Sequence, residues 1–135
     1  MNDKQHALKA TAEVTGIGLH TGEQVTLTLC PAPAGHGLKF QRTDLEGLPV
    51  IDADADLVVS TARGTTLGKG EVKVNTTEHV LAALYAMGVD NCLIQLNGSE
   101  VPIMDGSATP FVDAIEQAGF QEQDAPRNWW VLKEP

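Results

Sequence analysis

Two adjacent residues that could do chemistry, Glu78 and His79, stand at the head of the apolar run 75–91. A neutral imidazole is a common metal ligand, and a carboxylate beside it can take a proton from a water on the same metal. The pair therefore indicates metal-assisted hydrolysis. A catalytic zinc usually has three protein ligands and a water, so this pair amounts to only part of an active site.

A purely structural interpretation of the same pair stays open at this point. Asn75 is followed three residues later by Glu78, which fits a capping-box pattern at a helix start, and His79 would then be a surface histidine. Neighbouring residues on a helix point about 100° apart. In H-E-x-x-H both histidines come from one helix, whereas here any further ligands must come from elsewhere.

The remaining histidines differ in how well their sequence surroundings suit a role in a functional site. His20 lies in the glycine-rich turn TGIGLHTG, residues 15–22, a tight loop of the kind that presents a side chain into a site. His6 is near the N-terminus and His36 lies in a glycine- and proline-rich loop. We expect His6 and His36 at the surface, and we leave open whether His20 lines a pocket.

Two further groups of polar residues can each be given a structural or a functional interpretation. In the segment 102–108, Asp105 or Ser107 either caps the following helix or shapes the wall of a site. Asp52, Asp54 and Asp56 alternate along one side of an extended segment. No glycine and closing glutamate follow them at the spacing of a calcium loop, so a solvated face is the favoured interpretation.

Hydrophobic periodicity predicts an α+β domain. Two helices are expected, over residues 77–87 and 110–118, each with apolar residues at helical spacing and a glycine just beyond its end. Alternating and apolar runs predict strands at 5–14, 24–30, 38–43, 57–61, 65–67, 72–74 and 92–96, with residues 44–56 irregular. This is a two-layer sandwich of a mostly antiparallel sheet with two helices on one face.

Composition excludes several classes of function. The chain has 135 residues, 42% of them hydrophobic, which is enough for one domain with a core. Its net charge of −9 and pI of about 4.7 disfavour binding to nucleic acid or anionic lipid surfaces. No apolar run is long enough for a membrane span. The two cysteines are expected to be free thiols in a reducing cytoplasm.

Taken in order, four segments resemble the N-terminal domain of the UDP-3-O-acyl-N-acetylglucosamine deacetylase family, the zinc amidases of lipid A biosynthesis. They are TGIGLHTG, PAPAGHGLKFQRTDL, TARGTTL and the long run TTEHVLAALYAMGVDNCLIQLNGSEVPIMDGSATPFVDAI. The resemblance covers nearly the whole chain. It implies a fold like domain 2 of ribosomal protein S5, repeated in two domains whose helices pack between their sheets.

The resemblance also assigns roles to particular residues. His79 matches the one Zn²⁺ ligand from the first domain, and Glu78 matches the general base. The other two ligands belong to a His-x-x-x-Asp motif of a second domain, which we expect outside this chain. Leu19 and His20 match a segment that borders the substrate. Many members have a cysteine, able to bind a second inhibitory metal, where this chain has Gly64.

The resemblance further implies domain limits and partners. We expect residues 1–126 to form the N-terminal deacetylase domain and residues 127–135 to begin the linker to the missing second domain. The substrate would be a UDP-sugar lipid precursor, handled in the cytoplasm. The TARGTTL form is similar to bifunctional members fused to a 3-hydroxyacyl-acyl-carrier-protein dehydratase. Exposed helix faces would also favour self-association of this chain.

Two alternatives of another class remain open from the sequence. The chain could be a non-catalytic binding or scaffold module that has kept the fold, since only one metal ligand is evident. It could also form a metal-dependent homodimer in which His79 from each copy, with His20, completes a site.

Overall fold

The computed structural model describes residues 4–19, 21–53, 58–60, 66–69 and 72–126, and these contain ten strands and two helices. The helices are α1 (Glu78–Ala86) and α2 (Thr109–Ala118). The strands are β1 (Lys4–Leu8), β2 (Ala12–Ile17), β3 (Gln24–Pro31), β4 (Leu38–Arg42), β5 (Val50–Asp52), β6 (Val58–Ser60), β7 (Thr66–Lys69), β8 (Val72–Val74), β9 (Cys92–Leu96) and β10 (Phe120–Pro126).

A five-stranded sheet in the order β2-β3-β9-β4-β5 forms the framework of the domain. Its neighbours are antiparallel except for β4 and β9, which run parallel with Phe40 opposite Ile94. Side chains alternate across it as a half-buried sheet requires. Leu27, Leu29 and Ile94 are fully buried on one face. The threonines and glutamines on the other face are only partly buried, so the sheet has one apolar side.

The two helices bury their apolar stripes in the same core. From α1 the buried residues are Val80, Ala83 and Leu84, and from α2 they are Phe111, Ala114, Ile115 and Ala118. The helices contact each other, and α2 also packs on β2. The predicted α+β class with two helices and a mostly antiparallel sheet is therefore confirmed. No helix among the described residues is long and apolar enough to cross a membrane.

Several predicted elements are confirmed, and others need correction. The strands expected near 24–30, 38–43, 57–61, 65–67, 72–74 and 92–96 and both helices are present with small shifts at their ends. The single strand expected over 5–14 is wrong, because exposed Lys9 and Ala10 divide it into β1 and β2. The turn expected over 15–22 begins only at Gly18, because residues 15–17 pair with β3.

Two strands were not predicted at all. β5 lies within the segment expected to be irregular, and only Ile51 of its three residues is buried. β10 pairs antiparallel with β1 and brings the two ends of the described chain together. Its side chains are mostly exposed and polar, so it carries none of the apolar alternation by which strands are recognised.

Both cysteines are free, as expected. Cys92 is fully buried in β9, and burial raises the pKa of its thiol to about 12. Cys30 in β3 is half-buried, and burial raises its thiol pKa as well. Both thiols therefore stay protonated and unreactive at neutral pH.

The two phenylalanines of the C-terminal third provide a test of this core. Phe111 is 0% exposed and Phe120 is 41% exposed. We expect Phe111→Ala to lower the free energy of unfolding by about 3–5 kcal/mol because it leaves a cavity in the core. Urea titration followed by circular dichroism measures this, with Phe120→Ala as the matched control. Equal losses from the two variants would contradict the described packing.

Candidate functional site

The first turn of α1 carries both residues singled out from the sequence. Glu78 is the first helical residue and His79 the second, and both are half-buried. The expected capping box is wrong. Thr77 holds the N-cap position without a side-chain cap, and the Asn75 side chain instead donates a hydrogen bond to the Ser99 carbonyl at 3.2 Å.

The backbone is strained immediately before this turn and again beside it. Thr76 has a φ of +61° and Met104 a φ of +55°, a left-handed conformation that is costly for side chains as large as these. Thr76 directly precedes the N-cap of α1. Met104 directly precedes Asp105. Strain of this kind persists only where the surrounding contacts enforce it.

The segment 99–103 makes backbone hydrogen bonds to the residues on both of its sides, which are Asn75 before α1 and Ile17 before the glycine turn. The Asn75 amide donates to the Ser99 carbonyl at 2.7 Å, and the Val101 amide donates to the Asn75 carbonyl at 3.1 Å. On its other side, the Ile103 amide donates to the Ile17 carbonyl at 2.9 Å. One short segment therefore fixes the position of both neighbours.

A buried carboxylate strengthens the same connection. Glu100 is 2% exposed. Its Oε1 accepts a hydrogen bond from the Thr21 amide at 3.0 Å, and its Oε2 accepts one from the Thr76 hydroxyl at 2.9 Å. The sequence analysis missed Glu100. The signal that was available is a single charged residue directly before the apolar pair Val101-Pro102, both of which are buried.

The loop after this segment brings a second carboxylate near His79. The Ser107 hydroxyl and amide both donate to Asp105 Oδ1, at 2.7 and 3.0 Å. These bonds hold the pKa of Asp105 below its ordinary value, and a positive charge on His79 acts in the same direction. Neither predicted residue is the N-cap of α2, which is Ala108, although Ser107 Oγ accepts from the Thr109 amide.

A polar cavity of about 170 Å³ lies beside Glu100, away from the Glu78-His79 pair. Arg42 in its wall is 8% exposed, donates to both oxygens of Asp44 at 2.8 and 2.7 Å, and donates to the Lys73 carbonyl. The Arg42 hydrogen bond is the main reason that the pKa of Asp44 is lowered. Arg42 and Asp44 are thus paired with each other, and neither Glu78 nor His79 lines this cavity.

The other predicted site residues have different outcomes. Leu19 is 59% exposed and next to Gly18, in the turn held by Glu100. His20 lies outside the described residues, as do Gly64, Asp54 and Asp56. Asp52 is exposed and pairs with Lys39 at 3.3 Å, as a solvated face predicts.

No group of three histidine, cysteine or acidic side chains that could hold a metal ion occurs among the described residues, so His79 belongs to no complete metal site within them. His6 and His36, expected at the surface, are both half-buried. The donor type at His79 fits zinc, but the described donors are too few for a closed site.

A sequence model of one family, described as UDP-3-O-acyl N-acetylglycosamine deacetylase, matches residues 5–135. The chain belongs to this deacetylase family. Bifunctional LpxC/FabZ enzymes from Porphyromonas gingivalis and Bacteroides thetaiotaomicron are each 55% identical to it over 130 residues. A UDP-3-O-acyl-N-acetylglucosamine deacetylase from Myxococcus xanthus is 52% identical over 129 residues.

The matched region is nearly all of this chain but only a minor part of each relative. The matched region is 96% of this chain in all three comparisons. It is only 28% of each bifunctional enzyme and 41% of the Myxococcus xanthus deacetylase. The chain therefore spans less than half the length of these curated deacetylase relatives.

Gly18 tests the connection between the glycine turn and Glu100. A Cβ at Gly18 would lie 2.5 Å from both Glu100 Oε1 and Thr21 Oγ1. We expect Gly18→Ala to lower the free energy of unfolding by about 1–3 kcal/mol through overpacking, measured by chemical denaturation. Gly98→Ala is the control, because its Cβ would be 3.2 Å from the Val25 Cγ2 methyl. A Gly18→Ala variant as stable as this control would contradict the described turn.

Proposed function

We propose that this chain is the N-terminal half of a zinc-dependent deacetylase that removes the N-acetyl group from UDP-3-O-(3-hydroxyacyl)-N-acetylglucosamine in lipid A biosynthesis. The observation that carries the proposal is the Glu78-His79 pair on the first turn of α1, in a chain that belongs to the deacetylase family. The names of relatives at 52–55% identity support the substrate class.

His79 would contribute one of three protein ligands to zinc, and the other two would come from the second domain. A half-buried imidazole at the start of a helix is accessible from outside the core and is a suitable donor for zinc. When bound, zinc supplies a Lewis acid that polarises the acetyl carbonyl and makes water easier to deprotonate. The shortage of donors in the described residues supports completion of the site by another domain.

Glu78 would act as the general base. It accepts a proton from the attacking water, whose oxygen adds to the acetyl carbonyl carbon. The C–N bond then breaks as a proton is delivered to the leaving nitrogen, and the products are acetate and the free amine of the sugar. Because Glu78 and His79 are consecutive residues of one helical turn, the base is held at a fixed distance from the ligand that would position the metal.

The glycine turn would border the substrate. Leu19 and Ile17 are 59% and 49% exposed, and Met104 beside them is 37% exposed. This exposed apolar surface next to α1 is suited to contact the second domain or the lipid-bearing substrate. Among the residues that the structure describes, Tyr85 is the only large exposed apolar residue in a helix, so self-association would involve this turn more than the helix faces.

Two further features of the complete protein are proposed. A fused dehydratase is supported by the bifunctional names of the relatives from Porphyromonas gingivalis and Bacteroides thetaiotaomicron. A cytoplasmic location is supported by the free thiols of Cys30 and Cys92, which suit a reducing compartment.

A non-catalytic binding module is the second candidate function. The observation that favours it is that no group of three possible metal ligands occurs among the described residues. The retained Glu78 beside His79 argues against it, because a scaffold has no need for a base next to a ligand. The gene sequence following codon 135 discriminates the two: a His-x-x-x-Asp motif about one domain later supports the deacetylase, and a stop codon there supports the module.

Substitutions in the complete protein test the two roles separately. We expect Glu78→Gln to lower kcat by about 10²–10⁴-fold because the base is lost, while zinc content stays unchanged. We expect His79→Ala to lower both zinc content and activity. Acetate release and bound zinc are measured together, with Glu116→Gln on the exposed face of α2 as the control. Full activity of Glu78→Gln would refute the general-base role.

The chain by itself should lack the activity. We expect this chain of 135 residues to release no acetate in the presence of zinc, because the ligands expected from the second domain are absent. We also expect it to bind zinc more weakly than the complete protein does, in equilibrium dialysis. Zinc-dependent deacetylation by the pure chain at a rate close to that of the complete protein would overturn the two-domain site.

A further inference from the structure

Glu100 makes a bridge between two segments that are far apart in sequence. It joins the Thr21 amide in the glycine turn to the Thr76 hydroxyl before α1, across 79 and 24 residues respectively. Thr76 comes directly before the Thr77 N-cap of the helix that carries the Glu78-His79 pair. Glu100 itself is 2% exposed, so its carboxylate depends largely on protein donors for its hydrogen bonds.

The two donors explain why a carboxylate occupies this position. An ionised carboxylate is acceptor-only, so each oxygen can face one donor without conflict. The Thr21 amide can only donate, whereas the Thr76 hydroxyl can donate or accept. Burial of a carboxylate is costly unless hydrogen bonds compensate for the lost water, and these two donors supply part of that compensation.

The bridge also explains how Thr76 keeps its unfavourable backbone conformation. A φ of +61° is strained for a β-branched residue. The Glu100 hydrogen bond holds its side chain, while the Asn75 bonds to Ser99 and Val101 hold the preceding residue. Because Thr76 directly precedes the N-cap of α1, its backbone conformation sets the orientation of the first helical turn, which carries Glu78 and His79.

We propose that Glu100 is a positioning residue for the active site, which aligns the Glu78-His79 turn with the glycine turn through its hydrogen bonds to Thr76 and Thr21. This inference rests on the proposed deacetylase function. It assigns Glu100 no contact with substrate or metal. Glu100 would affect the reaction by fixing the positions of the Glu78 and His79 side chains. Misplacing a catalytic group by about 1 Å can lower the rate by about 10²-fold.

Glu100→Gln changes the hydrogen bond to Thr76 and leaves the one to Thr21. Because the Thr21 amide can only donate, the glutamine oxygen must face it, and the glutamine NH₂ then faces Thr76 Oγ1. The Thr76 hydroxyl then accepts from residue 100 instead of donating to it, so a weaker neutral hydrogen bond replaces one to an ionised carboxylate. Thr76→Val removes this hydrogen bond altogether and keeps the branched shape. Both variants weaken the same connection, so combining them should add little to the effect of Thr76→Val alone.

The experiment measures kcat, KM and zinc affinity of the complete protein with each variant. We expect Thr76→Val to lower kcat or zinc affinity by about 10-fold, the range of residues that orient ligands, with KM changed far less. Glu100→Gln should change kcat or zinc affinity in the same direction by a smaller factor, and the double variant should match Thr76→Val. Thr76→Ser, which keeps the hydroxyl, should retain the activity of the unsubstituted protein.

Asp90→Asn is the matched control. Asp90 is a half-buried carboxylate that accepts the His6 amide at 2.7 Å, beyond the opposite end of α1. We expect it to lower Tm but leave kcat and zinc affinity unchanged. If Glu100→Gln and Thr76→Val lower Tm and, like Asp90→Asn, leave kcat and zinc affinity unchanged, Glu100 is merely structural and the inference fails. Multiplicative losses in the double variant would also overturn it.

Amide hydrogen exchange tests the role of Glu100 independently of whether the proposed deacetylase function is correct. In the complete protein, Glu100→Gln should speed amide exchange in residues 18–23 and 76–80 more than Asp90→Asn does. If the unsubstituted protein has no deacetylase activity, the proposed function fails, and the exchange result still decides whether Glu100 couples the two turns. Unchanged exchange in both segments would refute the coupling, whatever the activity.

Discussion

A carboxylate that is removed from water must find its hydrogen-bond donors inside the protein. Glu100 meets this constraint by drawing together the Thr21 amide and the Thr76 hydroxyl, neither of which is near it in sequence. The flanking segment adds backbone hydrogen bonds to Asn75 and Ile17. The arrangement of the candidate site, from the glycine turn to the first turn of α1, depends on this one buried group and its segment.

The site stands at the margin of the domain, and the packing of the fold accounts for this. The five-stranded sheet and both helices use their apolar faces for a single core, which leaves the start of α1 at its edge. Glu78 and His79 are therefore half-buried, and neither lines the polar cavity beside Glu100. This partial exposure is what the proposed completion of the site by a second domain requires, and the chain spans less than half the length of its deacetylase relatives.

The accuracy of the sequence analysis varied with the kind of evidence each element offered. β3 and β9 alternate apolar and polar residues and were predicted closely, as was the apolar spacing of α1. β10 was missed because its side chains face solvent, and its pairing with β1 is set by backbone hydrogen bonds that no side-chain pattern reports. The capping box failed because the Asn75 side chain binds Ser99, 24 residues further along the chain.

By itself, the sequence determined that Glu78 and His79 would be neighbours on the first turn of a helix, because helical periodicity and adjacency are local properties. It also determined the α+β class, through the alternation of side chains in each element. Only the tertiary structure decided that Glu100 links the glycine turn to the segment before that helix, and that the loop of Asp105 comes close to His79. These contacts join residues separated by 24 to 79 positions, and their donors and acceptors meet only once the core has brought the strands and helices together.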